Sequence, residues 1–164
     1  VAIVQANYIR RGSDPRTAAK KAHRSARYYT ERDGPDIAER RWYASDGRSG
    51  TFAEFQKEMY AQSRAHPYTY RLVLSTREAD IGPAGYKEVL DNHFTQYYFV
   101  EHHNTEFPHA HVLGYRATKL SKAELRELRG RILEQEQEQA QERTQVLSLK
   151  QQVGRVRTSL LELG

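Results

Sequence analysis

Cysteine is absent from the 164 residues, which excludes a disulfide scaffold, a zinc ribbon and a thiol nucleophile together. Long apolar runs are absent as well. The longest span only a few residues, far below the roughly 20 needed to cross a bilayer, and the opening VAIVQANYIRRG has no signal-peptide core. A soluble, cytoplasmic protein with no membrane segment is expected. The chain does not open on methionine and its helical end is unpunctuated, which suggests a piece of a longer protein. What remains is long enough for one domain with a true core, 38% of its residues being hydrophobic.

Charge is the first positive sign. The net charge is +5, and it is concentrated near the start: residues 1–32 carry Arg10, Arg11, Arg16, Lys20, Lys21, Arg24, Arg27 and Arg32 against only Asp14 and Glu31. A basic segment of this kind points to a phosphate-rich partner, although a charge run is often only a solvated helix face. Arg16, Lys20, Arg24 and Arg27 are spaced by three and four, so one helix face would present them as a stripe.

An apolar, β-prone segment over residues 1–9 is followed by Asp14-Pro15, a helix start, and the spacing predicts a helix over 15–31 that stops at Asp33-Gly34-Pro35. Residues 35–50 read as an irregular connection with a short strand at 41–44. Thr51-Phe-Ala-Glu54 is a capping box for a helix over 52–64. Strands are predicted at 68–75, 96–101 and 109–115, with a helix at 84–92 between the first two. The last two strands, joined by a short turn with Pro108, form an antiparallel hairpin. Ser121 to Glu124 is a second capping box, opening a long helix whose stretch 134–142 is so polar that it reads as a solvated arm. Val146, Leu149, Val153, Val156, Leu160 and Leu163 continue as a heptad-like stripe suited to packing on the domain, an accessory protein or a second copy. The pattern as a whole is α+β, with a central antiparallel sheet, helices packed on its faces and a C-terminal helical extension. We divide the chain into a catalytic domain over 1–120 and that extension over 121–164.

Four of the seven histidines lie within ten residues, in EHHNTEFPHAH from Glu101 to His111. On a strand, His109 and His111 share a face, and a third imidazole from the hairpin partner can converge on them. Strand register decides whether His102 or His103 is that third group. Three neutral imidazoles would hold a metal with open positions, the arrangement of a catalytic rather than a sealed site. Protonated imidazole cannot ligate, so such binding should weaken as pH falls through about 6.5.

His102-x-Asn104-x-x-x-Pro108-His109-x-His111 resembles the third motif of the conjugative and mobilisation relaxases, DNA-nicking enzymes of the HUH endonuclease class. In that motif an acid usually stands where this chain has Asn104. The resemblance implies an HUH-like palm fold, with His102, His109 and His111 as metal ligands, Asn104 supporting them, and Mn²⁺ or Mg²⁺ as the ion. Arg27-Tyr-Tyr-Thr-Glu-Arg-Asp-Gly34 is similar to the relaxase first motif, whose nucleophilic tyrosine falls on Tyr28, with Tyr29 second. Arg71-Leu-Val-Leu-Ser75 resembles the strand that brings a serine beside the DNA. These likenesses run in order over about residues 1–116.

The implied reaction is site- and strand-specific nicking of single-stranded DNA at an origin of plasmid transfer, through a 5′-phosphotyrosine. Arg16, Lys20, Arg24, Arg27 and Ser75 are the expected DNA contacts, and Tyr29, Trp42 and Tyr43 are aromatic candidates for base stacking, with a core role weighed at least equally for Trp42. Spacing identifies no general base; Asp33 and Glu101 merely stand nearby. Rolling-circle initiators and transposases of the same class share the chemistry, but their tyrosine generally follows the histidines. A basic, non-catalytic nucleic-acid-binding module is the competing reading.

Overall fold

A computed structural model describes residues 2–103 and 107–163. Six strands form one antiparallel sheet: β1 (Ile3–Arg10), β2 (Trp42–Ala44), β3 (Ser49–Gly50), β4 (Tyr68–Ser75), β5 (Gln96–His102) and β6 (His109–Arg116), in the order β1-β4-β6-β5-β2-β3. Among the described residues four α-helices, α1 (Pro15–Glu31), α2 (Phe52–Ala65), α3 (Gly82–Asp91) and α4 (Lys122–Leu163), and a short 3-10 turn at Ile37–Glu39 complete the fold. The α+β class with helices against an antiparallel sheet is as expected.

The period-two alternation of the central strands builds two cores. Leu72, Leu74, Phe99, Ala110 and Val112 point to one face, where Tyr86, Val89, Leu90, Leu128 and Ile132 of α3 and α4 cover them. Tyr98, Val100, Leu113 and Tyr115 point to the other, against Ala26 of α1 and Phe55 and Met59 of α2. Each fully buried side chain such as Leu72 contributes about 1.5–3 kcal/mol. Both faces of β5 and β6 are covered, so the middles of these strands, Tyr97–Val100 and Val112–Tyr115, are free of charged residues. Gly114 is required among them, because a Cβ there would lie 2.6 Å from the Phe94 ring.

Local signals fix the first two helices. Asp14 Oδ1 accepts from the backbone N–H groups of Arg16 and Thr17, and Pro15 takes the first helical position. Buried Ala18, Ala19, Ala22 and Ala26 give α1 a small-residue side that lies close to its neighbours. Both hydrogen bonds of the Thr51–Glu54 capping box are made. Trp42 is fully buried, its Nε1–H donating to Thr30 Oγ1 at 2.8 Å. It is a core residue and is removed from the base-stacking candidates.

Two expectations about α4 change. The polar run 134–142 is helical and mostly exposed, but Gln135 and Glu136 are buried, and Glu136 Oε1 accepts from the N–H groups of Arg77 and Glu78. Hydrogen bonding thus allows polar residues to seat the helix where periodicity sees only charge. The stripe, conversely, does not fold back on the domain; Val146, Leu149, Val153 and Val156 are exposed. The side chains of Leu160 and Leu163 lie outside the described residues. No described helix is long and apolar enough to cross a membrane.

Candidate metal centre

Register settles which histidines meet. His102 on β5 stands opposite His109 on β6, and Val100 opposite His111. His102, His109 and His111 therefore share the face covered by α1 and α2, while His103 turns away. Their ring centroids lie 4.6–5.2 Å apart, and one nitrogen from each falls within 4.8 Å of the others. His102 and His111 are buried and His109 is half-buried.

The hydrogen bonds leave the donor atoms free. His102 Nε2 lies 2.7 Å from the Tyr29 carbonyl oxygen, so Nε2–H donates there and Nδ1 is left as a lone pair. That Nδ1 is buried with no partner among the described residues, as are both ring nitrogens of His111. His109 Nδ1 is 3.3 Å from the Phe107 carbonyl, which leaves Nε2. An imidazole that donates one N–H to a carbonyl and directs its other nitrogen at a shared centre is how metal-ligating histidines are held. Buried polar atoms without partners cost about 1–3 kcal/mol each, and three nitrogens facing one another fit a cation. Burial pushes His111 down to about 3 and His102 down to about 4; His109 is lowered for the same reason. His102 and His111 thus stay neutral well below pH 6.5, and His109 moves in the same direction, so acid should release a metal at a lower pH than free histidine implies.

The end of α1 is fastened to this centre. Besides accepting from His102, the Tyr29 carbonyl takes a 3.4 Å hydrogen bond from Arg40 Nη1, which also donates to the Thr30 and Arg32 carbonyls. Arg40 thereby satisfies the open C-terminal carbonyls of the helix. Its Nη2 is 3.0 Å from Asp36 Oδ1, with both side chains buried, and Asp36 Oδ2 accepts the His103 N–H at 2.8 Å. Neither residue stood out in the irregular segment 35–50; opposite charges four apart were the only signal.

The two tyrosines differ. The Tyr29 ring stacks on His111 at 4.2 Å and 15°. Burial raises its phenol above the usual tyrosine range, partly offset by Arg71 and a hydrogen bond with Ser25. Tyr28 is exposed, its ring edge-on to Tyr29 and under the Arg32 guanidinium at 5.9 Å. Ser75 stands opposite His109 on the neighbouring strand, its Oγ donating to the Pro108 carbonyl at 3.4 Å. Lys20 and Arg24 line a groove between α1 and α2 with His23 and Tyr60. Arg27 instead pairs with Glu31 at 3.2 Å, and Arg16 is exposed. Glu101 turns to the opposite face from the triad, in register with Ala110, so it is removed as a base candidate. Asn104 lies outside the described residues. No protein-family model, no curated protein and no solved structure matches the chain, so its own geometry is what speaks for the site.

Proposed function

We propose that the protein is a metal-dependent relaxase that nicks single-stranded DNA at an origin of transfer. The observation that carries this reading is the convergence of three imidazoles, two buried and one half-buried, beneath the C-terminal end of a basic helix whose last turn carries two tyrosines. A divalent ion held by His102, His109 and His111, with Mn²⁺ or Mg²⁺ as the expected species, would supply positive charge and Lewis acidity to the scissile phosphate. The chain does the rest. The Tyr29 carbonyl orients His102, and the Tyr29 ring packs His111 in place. Lys20 and Arg24 attract the DNA backbone.

Tyr28 is the nucleophile of choice, because its exposed ring can reach a strand lying across the site while Tyr29 is committed to packing. Its Oη forms a bond to phosphorus as the bond from phosphorus to the 3′ oxygen breaks. The phenolic proton is lost and the leaving oxygen gains one, giving a 5′-phosphotyrosine and a free 3′-hydroxyl with the ester bond conserved.

The test is a denaturing-gel assay for a covalent protein–DNA adduct with Mn²⁺ and single-stranded transfer-origin DNA. Wild type should form the adduct and Tyr28→Phe should not, with Tyr29→Phe retaining part of the activity. Loss only in Tyr29→Phe would keep the enzyme and move the nucleophile by one residue. No adduct on any strand would leave a basic binding module.

A further inference from the structure

The alternation that sends His102 towards α1 sends Glu101 and His103 the other way, and there they meet Asp80. One donor atom from each of the three lies within 4.8 Å of the others. His103 Nε2 is 3.2 Å from Asp80 Oδ2 and 3.9 Å from Glu101 Oε2. One imidazole nitrogen therefore sits between two carboxylates, its N–H donating to Asp80 in the metal-free chain, and an ion bound there would take the place of that proton.

The surroundings are organised as the outer shell of a binding site would be. Asp80 Oδ1 is fixed by the Gly82 N–H at 3.0 Å, which leaves Oδ2 to face the cluster. The turn from which Asp80 projects is held by Glu136, through the Arg77 and Glu78 N–H groups. On the other side, Asp36 grips the His103 N–H.

Independent of these contacts, several buried polar atoms in the neighbourhood have no partner among the described residues. They are Glu101 Oε1, Glu136 Oε2 and the hydroxyl of Tyr86. Tyr86 and Glu136 are fully buried, and the Tyr86 phenol lies within the electrostatic reach of Asp80, Glu101 and Glu136. Glu101 and Glu136 thus each keep a buried carboxyl oxygen, and Tyr86 a buried hydroxyl, that no described residue satisfies.

We propose that Asp80, Glu101 and His103 form a second divalent-cation site, on the opposite face of the sheet from the three-histidine centre. Two carboxylates and one imidazole suit an ion that accepts hard oxygen ligands and tolerates nitrogen, Mn²⁺ above all. Water would complete the coordination, because Asp80 and His103 are open to solvent. The donor sets differ: the imidazole centre can take later transition metals as well as Mn²⁺, and the carboxylates of the mixed site suit the harder Mn²⁺.

The test counts Mn²⁺ ions bound per chain by equilibrium dialysis, on the full chain at neutral pH and without DNA. Asp80→Asn keeps an oxygen for the Gly82 N–H, and His103→Gln keeps the backbone bond to Asp36, so each spares the fold. Wild type should bind two ions. Asp80→Asn and His103→Gln should each bind one, with at least a tenfold loss at the other, and the ion retained by the histidines reports that the variant is folded. His109→Ala combined with His111→Ala should keep the Asp80 ion. The proposal is overturned if wild type binds a single ion that the double histidine variant loses, or if Asp80→Asn and His103→Gln bind as wild type does. A single ion lost with Asp80→Asn would support this site and count against the histidine centre instead.

Discussion

His102 and His103 are chain neighbours with opposite surroundings. His102 enters a dry corner of three imidazoles under α1, where burial removes the proton and leaves lone pairs facing inward. His103 enters a wet corner of carboxylates, where its ring nitrogen lies between Asp80 and Glu101. The same strand end thus presents two different sets of donor atoms that could hold a metal, separated by the thickness of a sheet and by the period-two alternation of β5. A site's character is set less by which residue is present than by which face it reaches.

The largest effect should come from breaking the dry side alone. Outer partners of a metal ligand typically cost 10–100-fold in affinity when removed, so loss of a ligand should cost more than about 100-fold. His111→Ala should therefore abolish cobalt(II) absorption from the imidazole site and stop adduct formation. Salt-sensitive DNA binding should survive, because Lys20 and Arg24 line a groove of their own. Equal loss of cleavage and binding would show that the two are not separable.

Arg40 and Asp36 tie the two sides together, since one holds the Tyr29 carbonyl and the other the His103 N–H. Breaking a buried ion pair by removing one member costs about 3–5 kcal/mol, and Arg40→Ala should lower unfolding stability by that order in urea titrations. A loss under 1 kcal/mol would mean that water replaces the guanidinium and that the clasp is weaker than its geometry implies.

The pair also shows where sequence reading stops. The Asp14 and Thr51 caps, the strand over 68–75 and the His109/His111 alternation were legible, because each is a local pattern with a local cause. Segment 35–50 has no period, so the role of Arg40 depends on a helix terminus reached only through folding. The same holds for Glu101: its place beside the histidines in sequence suggested a shared site, and the pleat put it on the other face. Pairing of β1 with β4 and of β2 with β5 joins segments some 60 residues apart, a distance at which spacing carries no information.

Acid should separate the two sides by sign. His102 and His111 are lowered in the folded protein, so the unfolded chain takes up their protons first and stability of the metal-free protein should fall as pH drops below 6.5. Glu101 behaves oppositely. Burial, with Asp80 adding to it, pushes its carboxyl up to about 7, so the fold holds that proton while the unfolded chain releases it, and stability is lost as pH rises from about 4.5 through 7. Urea titrations of Glu101→Gln should accordingly show a gain over wild type that is larger at pH 8 than at pH 4.5. A pH-independent difference would mean that Glu101 ionises as it would in water.

The smallest effect belongs to the far end of α4, the helix whose first turns cover the carboxylate side. Leu125, Leu128 and Ile132 pack in that core, and their three-four spacing continues in register through Gln135, Gln139 and Glu142 to Val146, Leu149, Val153 and Val156. Among the described residues nothing covers Val146 to Val156: Leu128 is fully buried, whereas Leu149 is 60% exposed. Leu128→Ala should cost about 2–5 kcal/mol, as large-to-small changes in a core do, and Leu149→Ala should stay within about 0.5 kcal/mol. Equal losses in urea titrations would contradict the exposure of Leu149, and a loss at Leu149 that grows with protein concentration would identify a second copy of the chain as what covers the stripe.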